Sequence, residues 1–254
     1  MQHDYPILEF DPDLEALIDP RRIIKAIDIP ERCVVCFFQD VIADLGRAGR
    51  LQQIACQRSE IGEHPVYVLE LHGQPLAVFH PGVGAPLAAA LLEEVIALGG
   101  RTFIACGGAG SLDQRVSLGY PVIPHAAIRD EGTSYHYLPP GREVTASPAG
   151  VGALKHVLEA HGLPYLVAKT WTTDGFYRET PTRIRARRAE GCLTVEMEAA
   201  AFFAVAQFRG VTFAQLLYGG DDLSGQTWDS RDWTGQVSTR EKLFWLAAEA
   251  CLRL

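Results

Sequence analysis

Apolar blocks and polar breaks alternate along this chain, and their lengths and periods predict an order of strands and helices. Residues 33–38 form a short uninterrupted apolar run, the mark of a buried strand. Residues 66–71 and 75–79 flank His72-Gly73 and predict a hairpin. Residues 86–98 have the length and composition of an apolar helix, stopped by Gly99-Gly100. A strand over 102–106 follows, ending in a glycine turn at 107–110, and 121–124 reads as a short strand. Further on, the pattern predicts a helix over 148–160, a strand over 165–170, a basic helix over 181–190, a helix over 198–209 and a buried strand over 211–218 that ends in the Gly219-Gly220 turn. The last helix runs from 238 to 254, with Ser238 and Glu241 at the spacing of a capping box. Residues 1–30, interrupted by Pro6, Pro12, Pro20 and Pro30, predict an irregular N-terminal arm.

This alternation predicts an α/β fold, with helices covering a largely buried central sheet. Strands that end in glycine turns at 107–110 and 219–220 put the expected site beyond their carboxyl ends. No linker or internal repeat divides the sequence, and its length fits one domain over 1–254 with a sizeable core.

Charge and composition narrow the function. The net charge of −8 excludes a nucleic-acid surface, which needs clustered Lys and Arg. No apolar run is long enough to span a bilayer, and the N-terminus lacks the basic start and apolar core of a signal peptide. The expectation is a cytoplasmic protein without membrane partners, its six cysteines reduced. Cys33 and Cys36 have C-x-x-C spacing but lie in the apolar run without a second pair or a nearby His, so they read as strand residues. No His/Cys/Asp set has metal-ligand spacing, and no metal is expected.

The most telling segment is Val195-Glu196-Met197-Glu198-Ala199, two carboxylates at the entry to an Ala-rich helix. A carboxylate at such a junction costs free energy unless it is paired or holds a ligand's hydroxyls. A second acidic pair, Asp221-Asp222, follows an apolar run. Gly82-Val83-Gly84-Ala85-Pro86 opens a helix where backbone N–H groups can face an anion, but Leu87 stands where a dinucleotide fingerprint has its third glycine. The 107–110 glycines lack the Lys-Ser/Thr of a P-loop. The basic run 183–188 reads as a solvated helix face, and His136 is the one histidine in a polar, aromatic loop.

Taken in order, these pieces resemble the nucleoside phosphorylase family, which includes uridine phosphorylases, hexameric purine nucleoside phosphorylases and methylthioadenosine/adenosylhomocysteine nucleosidases. The resemblance rests on the 82–86 glycines, on 98–112 (LGGRTFIACGGAGSL), on Arg129-Asp130-Glu131-Gly132-Thr133-Ser134, on Thr173-Asp174-Gly175-Phe176-Tyr177, on the Glu196-Met197-Glu198 segment and on Asp221-Asp222. It implies a three-layer α/β/α sandwich with a mixed central sheet and cleavage of the bond between a ribose and a nucleobase. Phosphate is then the co-substrate, no cofactor is needed, and dimers or trimers of dimers are the expected assembly. By the same resemblance, Glu198 accepts hydrogen bonds from ribose hydroxyls, Met197 packs on the sugar, and Glu196 supports the ribose end. Phe176 and Gly108 contact the base, and Asp222 protonates or hydrogen-bonds the leaving base. Such a positioned acid contributes roughly 10²–10⁴-fold.

At the phosphate end the sequence departs from the family. A Gly-Asp-Pro turn and a following Arg are replaced by Cys36-Phe37-Phe38-Gln39-Asp40-Val41, while Ala105 and Gly108 stand where an Arg and a Thr or Ser are expected. Gly82, Gly84, Arg58 and Arg129 are the remaining candidates for the anion. Asp40 matches the acidic residue with which the nucleosidase branch activates water, so hydrolysis is the alternative to phosphorolysis. A non-catalytic nucleoside-binding protein is a third reading. Asp222 points towards purines, and the Phe176 neighbourhood towards uridine.

Overall fold

In a computed structural model that describes residues 3–254, ten strands form one mixed sheet between two helical layers. The strands are β1 (Arg32–Cys36), β2 (Leu51–Ser59), β3 (Gly62–Leu71), β4 (Gln74–Phe79), β5 (Thr102–Ser111), β6 (Pro121–Asp130), β7 (Glu143–Thr145), β8 (Leu166–Thr173), β9 (Cys192–Glu196) and β10 (Thr212–Asp222). The helices are α1 (Pro20–Ile23), α2 (Gln39–Arg47), α3 (Ala85–Leu98), α4 (Pro148–Ala160), α5 (Pro181–Ala189), α6 (Ala199–Arg209) and α7 (Val237–Leu252).

Strand β5 is the hub. It pairs in parallel with β1 and β10 and antiparallel with β9. Through β10–β6, β6–β8 and β8–β9, the strands β5, β10, β6, β8 and β9 close on one another. On the other side, β1 leads through β4 to the β4–β3–β2 antiparallel edge. Side chains alternate across the strands. Cys33, Val35, Phe103 and Ala105 therefore pack with α3 and α6, while Val34, Cys36, Ile104 and Cys106 pack with α2, α4 and α7. The same alternation sends Cys33 and Cys36 to opposite faces of β1.

Several predicted boundaries move. The glycines at 107–110 are not a turn. They are strand residues of β5, flanked by β10 on one side and, at Gly110, by Val195 of β9. Their lack of side chains permits close packing: a Cβ on Gly110 would lie 2.6 Å from Leu223 Cδ1 and 2.9 Å from Val195 Cγ1. Gly219-Gly220 likewise lies inside β10, where a Cβ on Gly219 would meet the Ser117 carbonyl oxygen at 2.6 Å. The capping box at Ser238 does not form. The Arg240 amide already bonds back to the Gln236 carbonyl, so α7 begins one residue before Ser238. The hairpin at His72-Gly73 forms as predicted, with both residues at positive φ. Among the described residues, no helix is long and apolar enough to cross a membrane.

Candidate active site

The parallel strands β1, β4, β5 and β10 carry their C-terminal ends to one edge of the sheet and supply Asp40, Gly82, Gly84 and the Asp221-Asp222 pair, while the ends of β8 and β9 supply Phe176, Glu196 and Glu198. The centre is the junction between β9 and α6. Glu196 ends β9 beside Thr172 of β8, and Glu198 occupies the N-cap position of α6. Glu196 Oε2 accepts the amides of Glu198 at 2.7 Å and Ala199 at 2.6 Å, while its Oε1 accepts the Thr172 hydroxyl at 2.6 Å. The Thr172 oxygen in turn accepts the Ala200 amide. Glu196 is thus spent on the N-terminus of α6, whose first amides would otherwise be orphaned.

Glu198 is held differently. Its Oε1 accepts the Gly84 amide at 2.6 Å, across 114 positions of sequence, and among the described residues no side chain bonds its second oxygen, with the Met197 amide close by. Gly84 is itself at φ 90°, as the N-cap of α3, and the helices α3 and α6 pack against each other behind it. Burial pushes the Glu198 carboxyl well above the usual carboxylate range, and the charge of Glu196 pushes it further. Burial also raises Glu196, with Glu131 adding to it against the bonds from Thr172 and the two amides. A buried carboxylate with one anchored oxygen and one free of side-chain bonds is suited to accept hydroxyl donors. Met197, partly buried between the two, adds an apolar wall.

The expected anion groups are largely committed within the chain. The Gly82 amide donates to His80 Nδ1 at 3.0 Å, and the Gly84 amide is taken by Glu198. Phe37 stands over the β5 backbone, 3.1 Å from where a Gly107 Cβ would be. It packs edge-on to the His80 ring, and burial holds that imidazole below its ordinary pKa. Arg129 is buried, donating to Ser134 Oγ and to the Pro139 and Leu138 carbonyls, and stacks over Tyr135. Arg58 lies on the exposed β2–β3 hairpin, paired with Glu63 at 2.7 Å.

Asp40 sits in the first turn of α2. Arg240 of α7 donates to its Oδ2 at 3.2 Å, and its Oδ1 is buried without a partner. The same guanidinium approaches the Tyr218 hydroxyl, which lies 3.3 Å from the Cβ position of Gly108. This cation cluster of Arg240, Asp40 and Tyr218 was not visible in the sequence, because its members are up to 200 positions apart.

At the far end, Phe176 is half exposed on a 3-10 turn after β8, its ring 4.1 Å from that of Tyr177. The two adjacent aspartates point to different surroundings, where β10 loses regular register with β5. Asp222 is paired with Arg231 and accepts the Ser224 amide at 2.8 Å, and these bonds outweigh burial to hold its pKa below the usual value. Asp221 instead faces the glycine strand: its Oδ1 is 3.4 Å from the Gly110 Cβ position, and its Oδ2 accepts the Trp228 indole N–H at 2.6 Å.

A ring of loops at the carboxyl edge of a mixed sheet, around a buried carboxylate with one oxygen free of side-chain bonds, defines an α/β protein with a small-molecule cleft. The chain belongs to the Phosphorylase superfamily, which it matches over residues 31–248. It is similar to the guanosine phosphorylase of Halorubrum lacusprofundi, with 31% identity over 201 residues covering 76% of this chain and 78% of that one. A uridine phosphorylase from Treponema pallidum is 31% identical over 188 residues, 68% of this chain and 73% of that one. The fold is also that of the purine nucleoside phosphorylase of Toxoplasma gondii in complex with immucillin-H, with a TM-score of 0.77 at 21% identity over 89% of this chain and 92% of that one.

Proposed function

We propose that the protein cleaves the N-glycosidic bond of a nucleoside, purine ahead of pyrimidine, and passes the ribosyl group to phosphate. The observation that carries this reading is Glu198, a buried carboxylate fixed by the Gly84 amide, with no side chain bonded to its other oxygen beside Met197. In the reaction the C1′–N bond breaks and its electron pair leaves with the base. Positive charge gathers on the sugar, and a phosphate oxygen forms the new bond to C1′. Glu198 accepts the ribose hydroxyls and its negative charge favours the cationic sugar, most strongly in a site that excludes water. Of the neighbouring aspartates, we favour Asp221 for the departing base: Trp228 donates to one of its oxygens and the other lies near Gly110, whereas both oxygens of Asp222 are held, by the Ser224 amide and Arg231. For phosphate the reading draws on Arg58, exposed on its hairpin and supplied to the site of a second subunit, because the Gly82 and Gly84 amides are bonded within the chain. The test is a panel of guanosine, inosine, adenosine and uridine with and without phosphate, products identified by mass. Phosphate-dependent formation of ribose 1-phosphate is expected, and equal turnover without phosphate overturns the assignment of the acceptor.

One observation favours hydrolysis as the second reading. Asp40 keeps a buried, unpartnered Oδ1 while Arg240 holds its other oxygen, an arrangement suited to orienting water. It predicts free ribose as the product and a large rate loss in Asp40→Asn.

A further inference from the structure

The loop that anchors Glu198 is itself held by a histidine. His80 follows β4 directly, and its Nδ1 accepts the Gly82 amide at 3.0 Å. Two residues on, the Gly84 amide donates to Glu198 at 2.6 Å. One amide of this loop therefore turns back onto His80, and the other turns forward onto the carboxylate that meets the ribose in the proposed reaction. The segment between them has little freedom. Gly82 is at φ 77° and Gly84 at φ 90°, and a Cβ on Gly82 would lie 2.3 Å from Leu87 Cδ2 in the first turn of α3. Beyond it the chain is fixed by the helix, because the Gly84 carbonyl accepts the Ala88 amide.

The imidazole is kept in the form that this bond needs. A ring nitrogen accepts an N–H only when it carries no proton, so the bond to Gly82 belongs to the neutral ring with its proton on Nε2. Burial favours that form, the main chain of Phe37 opposes it, and the nearby His64 favours it again. The ring is also wedged against the end of β1. It meets Phe37 edge-on, with 6.1 Å between centroids, and Phe37 packs in turn on Phe202 of α6 at 6.2 Å. Glu198 occupies the N-cap position of that same helix. His80 thus touches the loop that anchors Glu198 and, through Phe37, reaches the helix that carries it.

We propose that His80 is a positioning residue for the ribose carboxylate: its Nδ1 sets the place of the Gly82–Gly84 loop, and the Gly84 amide passes that setting on to Glu198. This inference rests on the nucleoside-cleavage reading and adds to it a residue that acts through another. Without the Nδ1 acceptor, the buried Gly82 N–H is left unpaired, and the loop must shift to find another partner. Gly84 is only two residues away, so the shift carries the Glu198 anchor with it. A misplacement of about 1 Å by a change remote from the chemistry can cost on the order of 10²-fold in rate.

The experiment separates the acceptor from the ring. His80→Asn puts a carbonyl oxygen near the place of Nδ1 and removes the ring. His80→Phe keeps a ring against Phe37 and removes the acceptor. kcat and KM for inosine and guanosine with phosphate are measured for both, alone and combined with Glu198→Gln, and Tm is recorded alongside. His80→Phe is expected to lose tenfold to a hundredfold in kcat/KM, more through kcat than through KM. His80→Asn should stay within threefold of the wild type although it packs less well. Combined with Glu198→Gln, the loss from His80→Phe should shrink below threefold, because residues that act through one another are not additive. A residue that only fills space gives the opposite order, with Phe mild and Asn harmful, and additive losses; either result overturns the proposal. If no nucleoside turns over, the cleavage reading fails, and the same cycle is read from nucleoside affinity by calorimetry. The same order and non-additivity are expected there, and additive losses overturn the positioning role. A chain that neither cleaves nor binds a nucleoside overturns both readings.

Discussion

Replacing Glu198 with Gln keeps the size of the side chain and separates its two oxygens chemically. The amide carbonyl can still accept the Gly84 N–H, which the carboxylate takes at 2.6 Å. What is lost is the second acceptor and the negative charge. A hydrogen bond to a charged group is worth roughly 1.5–3 kcal/mol. Loss of the field on the developing cation raises the expected total to roughly 2–4 kcal/mol, on the scale of a removed oxyanion-hole donor. At about 1.36 kcal/mol per decade this is about 30-fold to 900-fold in kcat/KM. The assay is initial-rate release of base across a range of nucleoside concentrations at saturating phosphate. Stability should move the other way. The folded protein holds the Glu198 carboxyl above its ordinary value of 4.5, so it binds more protons than the unfolded chain. That contribution is fully present below the unfolded pKa and is lost as pH rises through the raised one. The Gln variant has no such loss, and its Tm should exceed that of the wild type at pH 8 by more than at pH 5. A variant with kcat/KM within threefold of the wild type would refute the ribose role.

The same proton gives the unliganded wild type an acid limb: kcat/KM should fall as pH drops below the raised Glu198 pKa, and a flat profile from pH 5 to 8 would contradict it. Gly110→Ala forces a methyl to within 2.6 Å of Leu223 and 2.9 Å of Val195, so thermal unfolding should show a loss of roughly 1–3 kcal/mol from overpacking, with KM for the nucleoside rising. Arg209 and Glu93 form a salt bridge, both side chains under 10% exposed, between α6 and α3 behind the Gly84–Glu198 contact. Arg209→Met leaves the buried Glu93 carboxylate without its cation, with the Tyr137 hydroxyl beside it, and should cost roughly 3–5 kcal/mol in denaturant unfolding; a neutral result would refute a stabilising role for the pair. Arg240→Met releases Asp40; if Asp40 activates water, any phosphate-independent turnover should fall at least tenfold, and unchanged hydrolysis would remove that role.

Local periodicity made much of the scaffold legible. The apolar run at 33–38, the helix over 86–98 and the His72-Gly73 hairpin are written in residue order, because burial on one face imposes a period that neighbouring positions carry. Residues 39–59 carry a weaker signal. α2 is amphipathic, but its apolar face is only Val41, Ile42 and Leu45 in nine residues, and β2 is an edge strand with three Gln and one Arg, so both are short of apolar positions. The glycines of β5 and β10 misled for a related reason. A glycine marks a turn or a close approach equally well, and only the neighbours, Leu223 with Val195 for one and Ser117 for the other, decide which.

The acidic segment at 196–198 was already visible as chemistry in need of a partner, and the order of motifs was enough to suggest the family. The division of labour within it was a matter of three dimensions. Glu196 and Glu198 are two residues apart, yet one caps α6 while the other faces the cleft, because the chain turns from strand to helix between them. Asp221 and Asp222 also divide, where β10 loses its register with β5. Arg129, a candidate for the anion by residue type, is taken up by carbonyls nine and ten positions on. Residue type states what a side chain can bond to. Which oxygen is left free for a substrate depends on groups brought from 114 or 200 positions away, and no local pattern encodes those distances.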